Sequence, residues 1–184
     1  MTMLLKMAAR IDRFNQILGQ MTVWLVLLCV VLSALTATLR YLFDWGSNAM
    51  IEAQWFAFGL IFLFCAPWTL QQQGHVRVDI LYTALPPRGR IIVDLIGSLF
   101  FLLPVCGLVI VNAWDYFFIS FQQHELSMNP GGLLWWPMKL AILLGFIFLA
   151  AQGIAEIIKG IAILMGQSPS PIVKSTAAPI VGDH

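Results

Sequence analysis

Four long apolar stretches dominate the sequence, and short polar segments separate them. Each stretch exceeds the roughly 20 residues that an α-helix needs to cross the hydrocarbon core of a bilayer. The pattern predicts transmembrane helices at about 20–43, 49–70, 90–118 and 137–165. We therefore predict an all-α integral membrane protein with four transmembrane helices.

The segments at the two ends of the chain differ from these stretches. Residues 1–17 place apolar side chains at three- and four-residue spacing, with basic side chains largely on the other side. This pattern fits a short amphipathic helix in the headgroup region, or an extension of the first span. Residues 166–184 are rich in Pro, Ser, Ala and Gly without periodicity and predict a flexible tail. The membrane domain is thus expected at 18–165.

The distribution of basic residues predicts the orientation, because Lys and Arg concentrate on the cytoplasmic side. Two of the ten basic residues, Arg40 and Lys139, fall on the side of the membrane opposite to the termini. The other eight lie on the same side as the termini: Lys6, Arg10, Arg13, Arg77, Arg88, Arg90, Lys159 and Lys174. We therefore predict that both termini are cytoplasmic and that residues 117–136 form a loop on the outer side.

The composition agrees with a membrane protein and excludes several other classes. The chain is 60% hydrophobic and 10% charged with a mean hydropathy of +0.86, whereas soluble domains carry about 25% charged residues. The net charge of +1 gives no indication of a nucleic-acid partner. Cys29, Cys65 and Cys106 all fall inside apolar stretches and form no CxxC pair, so we expect neither a disulfide nor a metal site.

Ionisable residues inside a membrane are costly, which makes each one a functional candidate. Glu52, near the outer end of the second span, could meet a cation or a basic group of another subunit. It could equally be a carboxylate within reach of interfacial water at a helix N-terminus. Arg40 is its natural partner in the chain, although Asp44, four residues after Arg40, could satisfy it locally.

Residue placement argues against the enzymes that four-span proteins often serve. His75 and His124 lie in predicted loops, whereas a haem-carrying bundle needs histidines that project from its spans. No cysteine pair lies at the outer surface, as a disulfide-generating oxidoreductase would require. Glu156 and Lys159 are spaced to pair with each other near the end of the fourth span. We expect no catalytic activity and no cofactor in this chain.

Two loop segments carry more specific patterns. Residues 74–79 read GHVRVD and follow a span that opens with Glu52; within them His75, Arg77 and Asp79 alternate with valines. Residues 122–139 read QQHELSMNPGGLLWWPMK and include Glu125, an expected turn at Asn129–Gly132 and Lys139. With span number and orientation, these segments resemble the small membrane subunit of TRAP transporters (tripartite ATP-independent periplasmic transporters, DctQ-type). The resemblance covers roughly residues 10–165.

The resemblance implies a shared transport function in a bacterial inner membrane. A periplasmic binding protein would capture an organic acid or similar solute, and a large membrane subunit would carry the substrate and sodium sites. The small subunit would brace the large one and help dock the binding protein. Its interface or membrane-anchoring residues would be Arg40, Glu52, His75, Arg77, Asp79, Glu125 and Lys139.

Two other functions compatible with four spans stay open at this point. One is an independent small transporter or channel that works as a homo-oligomer, which would transport solute without another chain. The other is a membrane anchor for a respiratory enzyme, which would bind haem or quinone. The residues that select a solute would lie on other chains, so the sequence does not identify it.

Overall fold

The computed structural model describes residues 2–72 and 85–166. Helix α1 runs over Thr2–Phe43 and α2 over Asn48–Gln71. The third span comprises α3 (Pro87–Gly97), a π-helical segment (Ser98–Leu102) and α4 (Leu103–Gln122), and the fourth is α5 (Trp136–Leu164). All four spans are long and apolar enough to cross a membrane, which confirms the predicted all-α membrane architecture. His75, Arg77 and Asp79 lie outside the described residues.

Helix α1 joins the N-terminal segment and the first span without a break. Its 42 residues correspond to about 63 Å, roughly twice the thickness of the hydrocarbon core. The N-terminal segment is therefore a helical extension of the first span. The buried residues of α1 are small or polar and lie in its N-terminal half: Ala8, Asp12, Asn15, Gly19 and Thr22.

Helix α5 is the central helix of the bundle. It packs against α1, α2 and the third span, whereas the third span packs mainly on α5. A third of the most apolar stretch of α5 is buried (33%), compared with 11% or less in the other three spans. Most of the apolar surface of the other spans therefore faces outward, toward lipid or another protein.

Two prolines interrupt helical hydrogen bonding inside the spans. Pro67 is buried within α2. Pro104 lies in the first turn of α4, directly after the π-helical segment, where the Leu103 amide donates to the Ser98 carbonyl. Proline has no amide hydrogen to continue the α-helical pattern, and a π turn is a common local adjustment.

The two ends of the bundle hold different segments of the chain. One, the hairpin end, holds the connection between α1 and α2 and residues 123–135, which join α4 to α5. The other, the termini end, is where α1 begins and α5 ends. The predicted orientation would place the hairpin end on the outer side of the membrane.

Glycines allow the closest approaches between helices. A β-carbon at Gly19 would lie 2.7 Å from the Trp68 Cβ, and one at Gly145 would lie 2.9 Å from the Leu63 Cβ. Real β-carbons do not approach other atoms this closely, so these positions bring the backbone of α1 and of α5 against α2.

We expect Gly19→Ala to destabilise the protein by about 1–3 kcal/mol through overpacking against Trp68. Gly107→Ala is the matched control, because a β-carbon there would meet no atom within 4 Å. Both substitutions gain the same helix propensity, so their difference in thermal unfolding in detergent measures the clash alone. Equal unfolding temperatures would contradict the close packing of α1 on α2.

Candidate functional site

Glu52 lies in the second turn of α2 at the hairpin end and is almost fully buried, with 2% of its surface exposed. Its carboxylate accepts hydrogen bonds from the Ser127 hydroxyl, from Asn129 Nδ2 at 2.9 Å and from the Leu133 amide at 2.7 Å. All three donors are neutral and come from the connection between α4 and α5. Glu52 therefore fixes that connection onto the start of α2.

The connection itself folds as a short hairpin, which we name the outer hairpin (residues 123–135). The Ser127 amide donates to the Leu133 carbonyl and the Trp135 amide donates to the Glu125 carbonyl, both at 3.0 Å. Gly131 adopts a positive φ of 72° at the turn, a conformation that favours glycine. A β-carbon at Gly132 would lie 2.8 Å from Glu52 Oε2, so the hairpin backbone approaches the carboxylate closely.

A second charged contact holds the base of the outer hairpin. The Lys139 ammonium donates a hydrogen bond to the Glu125 carboxylate and lies 3.8 Å from the centre of the Tyr116 ring. Lys139 is buried, while Glu125 retains partial exposure. The hydrogen bond from Lys139 holds the pKa of Glu125 below its ordinary value. The contribution of this contact to the stability of the folded protein is present above the ordinary pKa of a glutamate. It is lost as the pH falls through the lowered pKa of Glu125.

The outer hairpin presents apolar side chains at its surface. Met128 is fully exposed at 102%, and Leu126 is 65% exposed. An ordered hairpin with an apolar surface is a suitable contact for another protein. The buried polar contacts of Glu52 and Lys139 hold this surface in one place.

A separate polar cluster fixes the termini end. Gln152 is fully buried; it accepts from Asn15 Nδ2 at 2.7 Å and donates to Asp12 Oδ1 at 2.8 Å. The Lys159 ammonium lies 3.1 Å from both oxygens of Asp12 and 2.5 Å from Glu156 Oε1. The predicted pair of Glu156 with Lys159 is therefore formed. Asp12 joins it from α1, and we name these five residues the termini cluster.

Sequence reasoning missed most of the termini cluster. Asp12 and Asn15 share one face with Gly19, and Gln152 shares one face with Glu156 and Lys159. Those spacings place each set on one side of a helix, which was the available signal. Asp12 lies between Arg10 and Arg13, and a segment with several basic residues normally faces water. The buried face was therefore not recognised from the sequence.

Polar side chains also join α1 to α2. Ser33 Oγ donates to Gln54 Oε1 at 3.0 Å, and Gln54 Nε2 donates to Thr36 Oγ1 at 2.8 Å. Cys29 and Ser33 are spaced four residues apart on α1, and both contact Gln54, since the Cys29 thiol lies 3.9 Å from its carbonyl. Cys29 and Ser33 therefore mark a contact between α1 and α2 within the chain.

Arg40 lies in the last turn of α1 with an exposed side chain. Within residues 2–72 and 85–166, no carboxylate comes within salt-bridge distance of it, so it pairs with neither of the two candidate partners, Glu52 and Asp44. Glu52 is held by the outer hairpin instead. Asp44 follows the end of α1 in a left-handed conformation, with φ of 50°, where the chain leaves the helix.

Arg90 and Asp94 lie at the start of the third span, and both have interaction partners. Among the described residues, no group of three or more His, Cys, Asp or Glu side chains could hold a metal ion. The expectation that the chain carries no cofactor stays a prediction.

Comparison with known proteins decides the family. The family profile for the DctQ component of tripartite ATP-independent periplasmic transporters matches residues 29–162, a region that includes the buried Glu52 and the outer hairpin. The chain belongs to the DctQ family. Members of this family are transporter components and not enzymes. Because the chain also has four helices long and apolar enough to cross a membrane, it is a multi-pass membrane protein of a TRAP transporter.

A curated relative supports the assignment to the DctQ family. A protein of Haemophilus influenzae, provisionally named TRAP transporter small permease protein, is 27% identical over 128 residues. The matched region covers 69% of this chain and 79% of the relative. The resemblance predicted from the two loop segments is thereby confirmed at the level of the family.

We expect Glu52→Gln to loosen the outer hairpin, because an amide cannot accept hydrogen bonds with both of its terminal atoms. Hydrogen exchange of the backbone amides over residues 123–135 should become faster by about tenfold or more. Asp115→Asn is the control, since Asp115 is an exposed carboxylate on α4. Unchanged exchange in Glu52→Gln would show that the hairpin is held by other contacts.

We expect Lys159→Met to destabilise the protein by about 3–5 kcal/mol, because it leaves two carboxylates near each other without their cation. Lys6→Met removes an exposed ammonium from the same end of the bundle and should change stability by less than about 0.5 kcal/mol. Thermal unfolding in one detergent measures both. Equal losses in the two variants would contradict a stabilising role for the termini cluster.

Proposed function

We propose that this chain is the non-catalytic small membrane subunit that braces the large, sodium-coupled subunit of a TRAP transporter. The observation that carries the proposal is the distribution of buried and exposed surface. Among the described residues, ion pairs form at the two ends of the bundle, in the termini cluster and at the base of the outer hairpin. Between these ends, three of the four spans leave most of their apolar surface uncovered.

Such a bundle suits bracing better than carrying solute. A transport path needs polar or ionisable groups that a solute or ion can reach at the middle of the membrane. In α5, the central helix, residues from Ala141 to Ala151 are all small or apolar. The sodium and substrate sites would therefore belong to the large subunit.

The outer hairpin is the proposed contact for the periplasmic binding protein. Its exposed Leu126 and Met128 form an apolar surface, and Glu52, Glu125 and Lys139 hold that surface at a fixed position. This assignment requires the hairpin end to face the periplasm, with both termini in the cytoplasm, as the basic residues predict. The solute would be an organic acid or a similar compound.

The proposal predicts that uptake needs all three proteins. The tagged chain, co-expressed with the large membrane subunit of its transporter, should purify as a complex with that subunit. Proteoliposomes should accumulate solute only when this complex and the binding protein are both present. Uptake by this chain alone would instead show that it is an independent transporter. If the tagged chain purifies without the large subunit, the bracing role is wrong.

A matched pair of methionine variants tests the docking contact. Met128→Asp places a charge on the exposed hairpin tip and should weaken binding-protein docking by about tenfold or more, because apolar contact is replaced by a desolvated charge. Met3→Asp places the same charge on an exposed methionine at the termini end and should have no effect. Equal docking of the two variants, measured by surface plasmon resonance with the complex in nanodiscs, would remove the hairpin from the interface.

A further inference from the structure

An open groove runs between α1 and α2 at the hairpin end and encloses about 1080 Å³. Arg40 lies on its α1 side, and Ser47, Asn48 and Ile51 form part of its α2 side. It extends along α1 from Asp44 at the mouth to Ser33, a distance of about 16 Å. Neither the outer hairpin nor α5 contributes a residue to its lining.

Arg40 makes this groove unusual. Basic residues are disfavoured on the predicted outer side, where this chain has only Arg40 and Lys139. Lys139 is buried against Glu125 and Tyr116. Arg40, in contrast, has no acidic partner within the described part of the chain, although its guanidinium offers five donors.

The deeper lining of the groove fits a protein better than a lipid chain. Ser33 and Gln54 lie about 10 Å further along the helices than Arg40, toward the middle of the bundle. Ser33 already donates to Gln54, and Gln54 to Thr36, but the exposed Ser33 hydroxyl can still accept a hydrogen bond. An acyl chain offers no donor at that depth, whereas a helix side chain can offer one. Ser33 and Ala37 are small, so a neighbouring helix can approach α1 closely.

We propose that this groove receives a transmembrane helix of the large TRAP subunit and that a carboxylate on that helix pairs with Arg40. The inference rests on the proposed function and specifies which face of the chain meets the large subunit. A carboxylate matches the planar guanidinium with two parallel hydrogen bonds. Asp44 lies at the mouth, beyond the end of α1, and stays within reach of water.

Charge reversal at Arg40 is the first test. In co-expression with the large subunit, Arg40→Glu should reduce recovery of that subunit on the tagged chain by about tenfold or more, and Arg40→Lys should retain part of it. Replacing the partner carboxylate on the large subunit by Arg should restore recovery with Arg40→Glu. Arg13→Glu reverses an exposed arginine at the termini end and should leave recovery unchanged.

Filling the groove is the second test, independent of charge. Ala37→Phe places a ring in the groove and should also reduce recovery, while Val31→Phe adds the same ring to an exposed position that does not line the groove. Thermal unfolding of each variant alone establishes that it folds. Wild-type recovery in both Arg40→Glu and Ala37→Phe would overturn the inference.

The outcomes separate this inference from the proposed function and from a lipid site. If the wild-type chain does not recover the large subunit at all, the proposed function itself fails. If Arg40→Gln keeps the large subunit but loses a bound phospholipid in native mass spectrometry, Arg40 binds a lipid phosphate and the helix contact is wrong. Loss of the large subunit with the lipid retained supports the helix.

Discussion

The fold depends on one constraint, which is that hydrocarbon offers no partner to a polar group. Every buried charge must therefore find its partner within the protein. The chain meets the constraint by placing charged contacts at the two ends of the bundle. At one end, Lys159 of α5 binds Asp12 of α1, and at the other, Lys139 of α5 binds Glu125 of the outer hairpin. Because α5 supplies both lysines, it determines how the remaining elements are arranged around it.

The two ends solve the same problem with different donors. In the termini cluster, the Lys159 ammonium and the Gln152 amide donate to two carboxylates, and Asn15 donates to the Gln152 carbonyl oxygen. At the hairpin end, Glu52 is held entirely by neutral donors, two side chains and one backbone amide. A carboxylate that is satisfied in this way fixes the path of the backbone around it. The outer hairpin therefore owes its shape to a residue of a different helix.

Sequence reasoning predicted the parts of the fold that depend on local pattern. Hydropathy alone places α2 and α5 to within about two residues of their ends, because the length of an apolar run is a local property. The pair of Glu156 with Lys159 follows from their spacing on one helix. The contact of Glu52 with residues 127–133 joins positions more than 70 apart, and no local pattern encodes it.

The same distinction explains the errors at Arg40 and in the N-terminal segment. Arg40 and Glu52 are near in sequence and on one side of the bundle, which made a pair plausible. The turn after Phe43 directs the second helix so that Glu52 faces the outer hairpin instead. Asp12 sits between basic residues that face outward, and only the packing of α1 on α5 shows that its side chain points the other way.

The π-helical segment at Ser98–Leu102 has a mechanical consequence for the third span. This span is attached chiefly through α5, and its hydrogen-bond pattern changes at this segment. A helix bends most easily where the regular pattern is interrupted. The third span therefore bends most easily at this one turn. The turn lies opposite Gly153, which has no side chain and so leaves room for Leu102. The half of the span nearer the termini end, α3, packs less on α5 than α4 does, so a bend at this turn changes the tilt of α3 while α4 and the outer hairpin keep their positions.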